Sequence, residues 1–521
     1  MLSYRSEVMN PQKKIHLHKQ ELFMLCETGH KKACLIQMGL LLISFLLLTG
    51  WMFGNPASGI PQERFLVGSP LNPAFLAQTP SMKAGSLYQR STADGPLTPE
   101  GRRLGYKASP VDLSHLKELA EDQTILQGRQ RLGLPDSFDL RVEGKLTSVR
   151  DQGNCGSCWA FATYGSLESN LLPGESEDLS ENHLKNTHGF DWDHCDGGNA
   201  YISAAYLGRW SGTVREMDDP YNPVSGVSPP GLLPMKHIQE ILIIPDRSNS
   251  WDNRRIKEAV TAYGAVYTSM YWGGSYNSAT HAYYFNGSTY SNHAVAIVGW
   301  DDNYSRNNFS TVPPGDGAFI ARNSWGTAFG ENGYFYISYH DANIGTENFV
   351  FREAESTANY SRIYQYDPLG WVTSVGYGRR SAWFANVFTA EADEELSAVS
   401  FYTASPNSKF SLYIYKNAAG GPRDGTLERR VNGKMASAGY HTVSTGSPIF
   451  LPRGQIFSVV VKLRTPKYDY PIPIESPMDN YSSLATANSG ESYVSPNGKD
   501  WSDLQDLYSN ANVCLKAFTQ Y

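Results

Sequence analysis

The chain has 521 residues, with 44 Lys and Arg against 51 Asp and Glu and a formal net charge of −7. So small a charge excess, acidic in sign, excludes a chain-wide basic footprint for nucleic acid. The 41% apolar and 12% aromatic content excludes bulk disorder, and six cysteines are too few for a disulfide-dense mini-scaffold.

Residues 35–53, LIQMGLLLISFLLLTGWMF, carry no charge and are just long enough to span a bilayer. Basic residues outnumber acids before the run, so the positive-inside bias keeps 1–34 in the cytoplasm and exports the chain beyond the run. A cleaved signal peptide and an uncleaved anchor both fit. The expected location is extracytoplasmic, secreted or held at the membrane through 35–53. Residues 54–133 are rich in Pro, Gly, Ser and Gln and read as a linker or pro-segment, with one short helix near 113–126.

From 134 the pattern changes. Phe161, Tyr164, Leu167 and Leu171 predict a helix over 158–172, stopped by Pro173-Gly174. Ile202, Ala205, Tyr206 and Trp210 predict a second helix. Ile256, Ala259, Val260 and Tyr263 predict a third, ended by Gly264. The Pro-rich stretch 220–245 reads as a surface loop. Strands are expected at 266–270, 294–300, 319–321 and 334–337, giving an α+β half of segregated helices and strands. Beyond 356–366 two-residue alternation takes over, as in Phe410, Leu412 and Ile414 or Phe457, Val459, Val461 and Leu463. Turns at 417–421, Asn432-Gly433 and Asn497-Gly498 complete the signature of a β-sandwich.

The sharpest chemical signal is QGNCGSCWAF at 152–161. Ser157 can cap the first helix and place Cys158 on its first turn, where unpaired amides and the dipole favour the reactive thiolate. Such a thiol needs a proton acceptor oriented by a third group. His293, at the start of a predicted strand, and Asn323 supply both in that order.

Residues 134 to about 352 resemble the papain-like cysteine protease family. The resemblance rests on that motif and on Leu134-Pro135, Phe138-Asp139-Leu140-Arg141, Leu179-Ser180-Glu181, Cys195-Asp196-Gly197-Gly198, Asp219-Pro220-Tyr221 and Asn323-Ser324-Trp325-Gly326. It implies a two-lobed catalytic domain at 134–355, a helical lobe plus a β-barrel lobe, hydrolysing peptides through a thioester without metal or organic cofactor. Cys158 would be the nucleophile, His293 the acid and base, Asn323 its orienter, and Gln152 with the Cys158 amide the oxyanion hole. Trp325 would shield the His293–Asn323 bond, while Gly198 and Ala294 would bind the substrate. Cys155 and Cys195 would form the disulfide. Asn292 stands where the family commonly has Asp, and the family's long helical propeptide is not evident.

Residues 363–521 resemble the lectin-like all-β sandwich domains of some prokaryotic members. This rests on the stretches 366–371, 383–388 and 493–495 and suggests cell-surface glycans as partners beside peptide substrates. Tyr413, Tyr415 and Trp501 are candidates for stacking on sugars. His188, Asp191, Asp193 and His194 match no metal template and read as a solvated loop. His237 is weak support for an occluding loop. A surface-binding protein with a vestigial protease, or an acyl transferase using the same residues, are the alternative functions.

Overall fold

The computed structural model describes residues 65–79, 97–98, 101–119 and 133–521. The apolar run at 35–53 lies outside these residues, as do Cys26 and Cys34. Among the described residues no helix is long and apolar enough to cross a membrane.

The first predicted helix forms as Cys158–Leu171, but burial is not confined to one face: every residue from Cys158 through Ser169 is buried. The helix passes between Ala200–Gly208, Glu181–Thr187 and the strands Thr346–Ser356 and His293–Asp301, so no face meets water. Ala200–Gly208 starts where the Asn199 side chain accepts from the amides of Tyr201 and Ile202. Trp210 lies beyond its end. Arg254–Tyr263 shows the expected burial of Ile256, Ala259 and Val260 and stops at Gly264, whose φ of 97° would strain a side chain. Val266–Met270, His293–Asp301, Ala318–Arg322 and Tyr334–Ser338 pair antiparallel in that order.

The stretch 220–245 is only partly a loop. Lys236–Ile244 is a strand in which only Glu240 is not fully buried. It pairs with Thr346–Ser356 on one side and with Ala438–Leu451 on the other. Pro234 and Pro245 bracket the strand rather than interrupt it, leaving KHIQEILII free to donate on both edges. Through it one sheet of thirteen strands runs from Ser275–Asn277 in the first half to Arg362–Tyr364 in the second.

The C-terminal half is a sandwich. A six-stranded sheet, ordered Thr426–Met435, Ser408–Lys416, Ile456–Arg464, Ser381–Thr389, Ser492–Ser495, Ser502–Asp503, covers one side. Its Phe384, Leu412, Ile414 and Val461 pack on Leu396, Phe401, Leu515 and Ala517 of the shared sheet. Asn432-Gly433 is not a turn but lies inside Thr426–Met435, opposite Ser411 and Phe410. A Cβ on Gly433 would fall 2.4 Å from the Phe410 ring, so glycine here answers close packing.

Upstream residues dock on both halves. Val67–Gly68 pairs with Thr373–Gly376, and Pro73–Gln78 buries Phe75 edge-on against Tyr481. His115–Glu118 is the described part of the helix expected near 113–126. His115 stacks on Tyr468 at 4.4 Å and bonds the Ser405 hydroxyl at 2.8 Å.

Candidate active site

Cys158 opens its helix where the backbone of Ser157 leaves helical geometry. The expected side-chain cap is absent. The Ser157 hydroxyl instead lies 2.6 Å from that of Tyr221, which donates to the Gln152 carbonyl at 2.8 Å. Cys155 and Cys195 are bridged.

His293 heads its strand, and the register Ala296 opposite Arg322 brings Asn323 back beside it. His293 Nε2 lies 2.8 Å from Asn323 Oδ1. The Ser324 amide donates to the same atom at 2.9 Å. That atom is therefore the carbonyl oxygen, and Nε2 must carry the proton. Nδ1 is left as the basic nitrogen, buried and without a hydrogen-bond partner. Trp325, buried, stacks on the imidazole at 4.9 Å.

The Ala294 amide donates to Cys158 Sγ at 3.4 Å. Gln152 is fully buried: its Oε1 accepts from the Ser324 hydroxyl at 2.6 Å, and Nε2 donates to the carbonyls of Cys155 at 2.7 Å and Arg103 at 3.1 Å. One side chain thus ties Cys155 in the helical lobe to Ser324, next to Asn323.

Arg103 belongs to an upstream segment that crosses this site. Gly198 donates to the Gly105 carbonyl at 2.8 Å and accepts from the Lys107 amide at 3.0 Å, a parallel bridge centred on Tyr106. Tyr106 donates to the Asn292 carbonyl at 3.1 Å. Arg102 pairs with Asp151 at 2.8 Å, over the Trp325 ring. A Cβ on Gly198 would fall 2.5 Å from the Trp159 ring, so the strand edge stays flat for an incoming backbone.

Under this cover Cys158 is wholly buried, and burial pushes its thiol up to about 11; the amides of Ala294, Gly105, Trp159 and Cys158 act the other way. Burial likewise pushes His293 down to about 4, against its bond to Asn323. Both groups are held neutral near pH 7.

Two residues escaped the sequence reading. Tyr106 belongs to the apolar cluster of Cys158, Tyr201, Tyr267 and Ala294. Its phenol meets the carboxyl of Glu347, which burial pushes up to about 8. Glu347 Oε2 is buried without a hydrogen-bond partner. Only strand register, with Ser269 opposite both Ala294 and Thr346, places Glu347 beside the cleft.

The loop around 188–194 is not simply solvated. His188 is buried edge-on to Trp159, and its Nδ1 accepts from the Phe190 amide. Among the described residues no cluster of His, Cys, Asp or Glu could hold a metal ion. His237 is committed elsewhere, stacked on Trp210 at 3.7 Å and bonded to Asn359.

Residues 134–353 match the family model of papain family cysteine proteases, and 363–519 match that of the lectin-like domain. The first stretch belongs to the papain family. A "Cysteine protease" of Blomia tropicalis is 32% identical over 231 residues, covering 42% of this chain and 65% of that protein. A "Viral cathepsin" of Heliothis zea nuclear polyhedrosis virus is 32% identical over 236 residues, covering 44% and 58%. The chain thus spans less than two thirds of either relative's length. The solved cysteine protease and lectin-like domains of Cwp84, a surface layer associated protein of Clostridium difficile, are 27% identical with a TM-score of 0.67. They cover 80% of this chain and 97% of that one. A second Cwp84 structure, after propeptide cleavage, gives 28%, 0.65, 74% and 99%. In the papain-family stretch His293, Asn323 and Gln152 are joined through Ser324 in one buried hydrogen-bonded network, and Cys158 accepts from the amide of Ala294, the residue after His293.

Proposed function

We propose that the chain is a cysteine endopeptidase, exported beyond the cytoplasm and covered by its own upstream segment until processed. The observation that carries the reading is the His293–Asn323 bond with the tautomer it imposes. Nε2 is held as donor, and Nδ1 is left to take the Cys158 proton. Cys158 then attacks a peptide carbonyl. The Gln152 amide, which now meets the Arg103 carbonyl, and the Cys158 backbone amide receive the oxyanion. His293 protonates the leaving amine and activates the water that hydrolyses the thioester. Gly198 and Ala294 bind the substrate backbone and the second residue before the cleaved bond, with Trp325 keeping water from the imidazole.

In this reading 1–34 is an n-region, 35–53 the signal or anchor, 54–133 the pro-segment, 134–355 the peptidase and 363–521 a glycan-binding accessory domain. Segment 102–107, joined to Gly198 by a parallel bridge, lies over Cys158 and would block the cleft until removed. Labelling by a thiol-directed epoxide peptide tests the whole. The processed enzyme should react at Cys158, while Cys158→Ala and the unprocessed chain should not. A processed enzyme that takes no label overturns the proposal.

A further inference from the structure

Counted outward from Cys158, the upstream segment sets the Gly105 amide on the thiol, Tyr106 opposite Gly198 and Lys107 one position further. Lys107 is bonded there through its backbone. Its amide donates to the Gly198 carbonyl at 3.0 Å, and its carbonyl accepts from Asn199 Nδ2 at 3.1 Å. Its ammonium stands 4.7 Å from the centre of the Trp192 ring. Burial pushes the Lys107 ammonium below the usual lysine range, and the charge of Asp196 acts the other way. Among the described residues Asp196 forms no ion pair; its Oδ2 accepts from the Asp193 amide at 3.1 Å.

The loop of Trp192 is held from the sandwich as well as from the segment. Tyr481 meets the Trp192 ring edge-on at 5.4 Å. The Asp191 carboxylate accepts from the Ser483 hydroxyl at 2.7 Å and amide at 3.1 Å, and the Asp191 amide donates to the Tyr481 carbonyl at 3.0 Å. Between 190–193 and 479–484 a cavity of about 590 Å³ opens beside the ring, with Asp193 and Asp479 exposed in its wall.

When the segment leaves, the ring face that Lys107 covered and the Asp196 carboxylate remain beside Gly198, one position beyond the place of Tyr106. A cation over an aromatic face is attracted by the ring quadrupole, more strongly where water is partly excluded. An uncharged chain of the same length gains neither that attraction nor the carboxylate. We propose that Trp192 and Asp196 form the subsite for the third residue before the cleaved bond and select lysine or arginine there. This selectivity rests on the peptidase reading and names one feature of its substrates. It also gives the sandwich a part in peptide recognition, because Tyr481 and Ser483 hold the loop that presents Trp192.

The test uses the processed enzyme and fluorogenic peptides that differ only at that third residue: lysine, arginine, norleucine or glutamate. Norleucine keeps the stem of lysine without its charge, so a preference for lysine over it reads the cation alone. Lysine and arginine peptides should exceed the norleucine peptide in kcat/KM at least about fivefold, with glutamate below norleucine. Trp192→Leu and Asp196→Asn should each bring the lysine-to-norleucine ratio toward one. The ratio is taken within one enzyme preparation, so a lower yield of folded variant cancels. A parent enzyme that cleaves lysine and norleucine peptides alike overturns the subsite and leaves the peptidase reading standing. So does a ratio that persists in both variants. Cleavage of none of the peptides, with no epoxide label at Cys158, overturns both.

Discussion

Gly105 rests on Gly156 so closely that a Cβ at 105 would fall 1.9 Å from the Gly156 carbonyl oxygen and 2.5 Å from its Cα. Neither atom can move far, because the Gly156 amide donates to the Cys195 carbonyl at 3.1 Å beside the disulfide. Gly105→Ala should therefore lift the segment off Cys158. The unprocessed variant is expected to hydrolyse a fluorogenic peptide at least about tenfold faster than the unprocessed parent, a shift of about 1.4 kcal/mol in the covering equilibrium. The processed enzymes should be identical. Equal rates before processing would mean that the segment does not restrain the site.

Covering should also depend on pH. Burial holds Glu347 near 8 even though its bond to Tyr106 lowers it, so the carboxyl should fall toward the ordinary range when departure of the segment admits water. A carboxyl raised on covering favours the covered state below its open value and loses that contribution as pH rises through 8. His115 works oppositely: burial lowers it to about 4, so its contribution is present above about 6.5 and lost as pH falls through 4. Between about 4.5 and 6.5 the two slopes oppose each other, and above that range Glu347 acts without the opposing His115 term. Release, followed as epoxide labelling of unprocessed chain, should accelerate from pH 6.5 to 8. Glu347→Gln should flatten that limb.

Once Tyr106 leaves, its pocket keeps the Glu347 carboxyl. A side chain there that carries a donor recovers the contact, and one without it leaves a carboxyl unsatisfied. Peptides with Tyr as the second residue before the cleaved bond should exceed their Phe counterparts in kcat/KM by several-fold. Glu347→Ala should erase the difference. A parent enzyme preferring Phe would show that Tyr106 does not occupy this subsite.

Cys158, His293, Asn323 and Gln152 were legible as candidates because each belongs to a local motif, and so was the Cys155–Cys195 pair, which the structure bridges. Glu347, Tyr106 and the strand Lys236–Ile244 were not. Glu347 is brought beside the cleft by register among three strands, and no local pattern marks such a position. Tyr106 lies in a segment whose composition reads as linker; it is held by docking on Gly198 and Asn292 and by packing among Cys158, Tyr201 and Tyr267. Lys236–Ile244 is flanked by prolines that signal a loop, yet its apolar run is buried because a second domain supplies its other edge. The Ser157 cap failed for a related reason: Tyr221 competes for its hydroxyl.

Gln152 should contribute to the rate rather than to ground-state binding. Gln152→Ala removes one oxyanion donor, expected to lower kcat about 10²–10³-fold with KM little changed. Because Oε1 also holds Ser324, a melting curve and epoxide labelling accompany the kinetics. A variant that still labels but turns over slowly fits the role, whereas full kcat would remove Gln152 from the site.

The shared sheet makes the peptidase half dependent on the sandwich. Glu240, Ile241, Leu242 and Ile243 pair with His441, Tyr440, Gly439 and Ala438, and His441 Nδ1 lies 3.0 Å from Glu240 Oε1. Tyr440, Tyr402 and Trp371 complete the cluster that holds Tyr206, Leu207 and Ile241. A chain ending at residue 356 exposes these side chains and turns Lys236–Ile244 into a long apolar edge strand, a template for association. Losing burial of even two or three such side chains costs about 4–8 kcal/mol, which at about 2–4 °C per kcal/mol for a domain of this size predicts a fall in Tm of at least about 8 °C. Calorimetry with light scattering on the processed enzyme and on the shortened chain checks it. A shortened chain that melts at the parent temperature and stays monomeric would show that the paired strands add no stability, and that the two halves fold independently despite their common sheet.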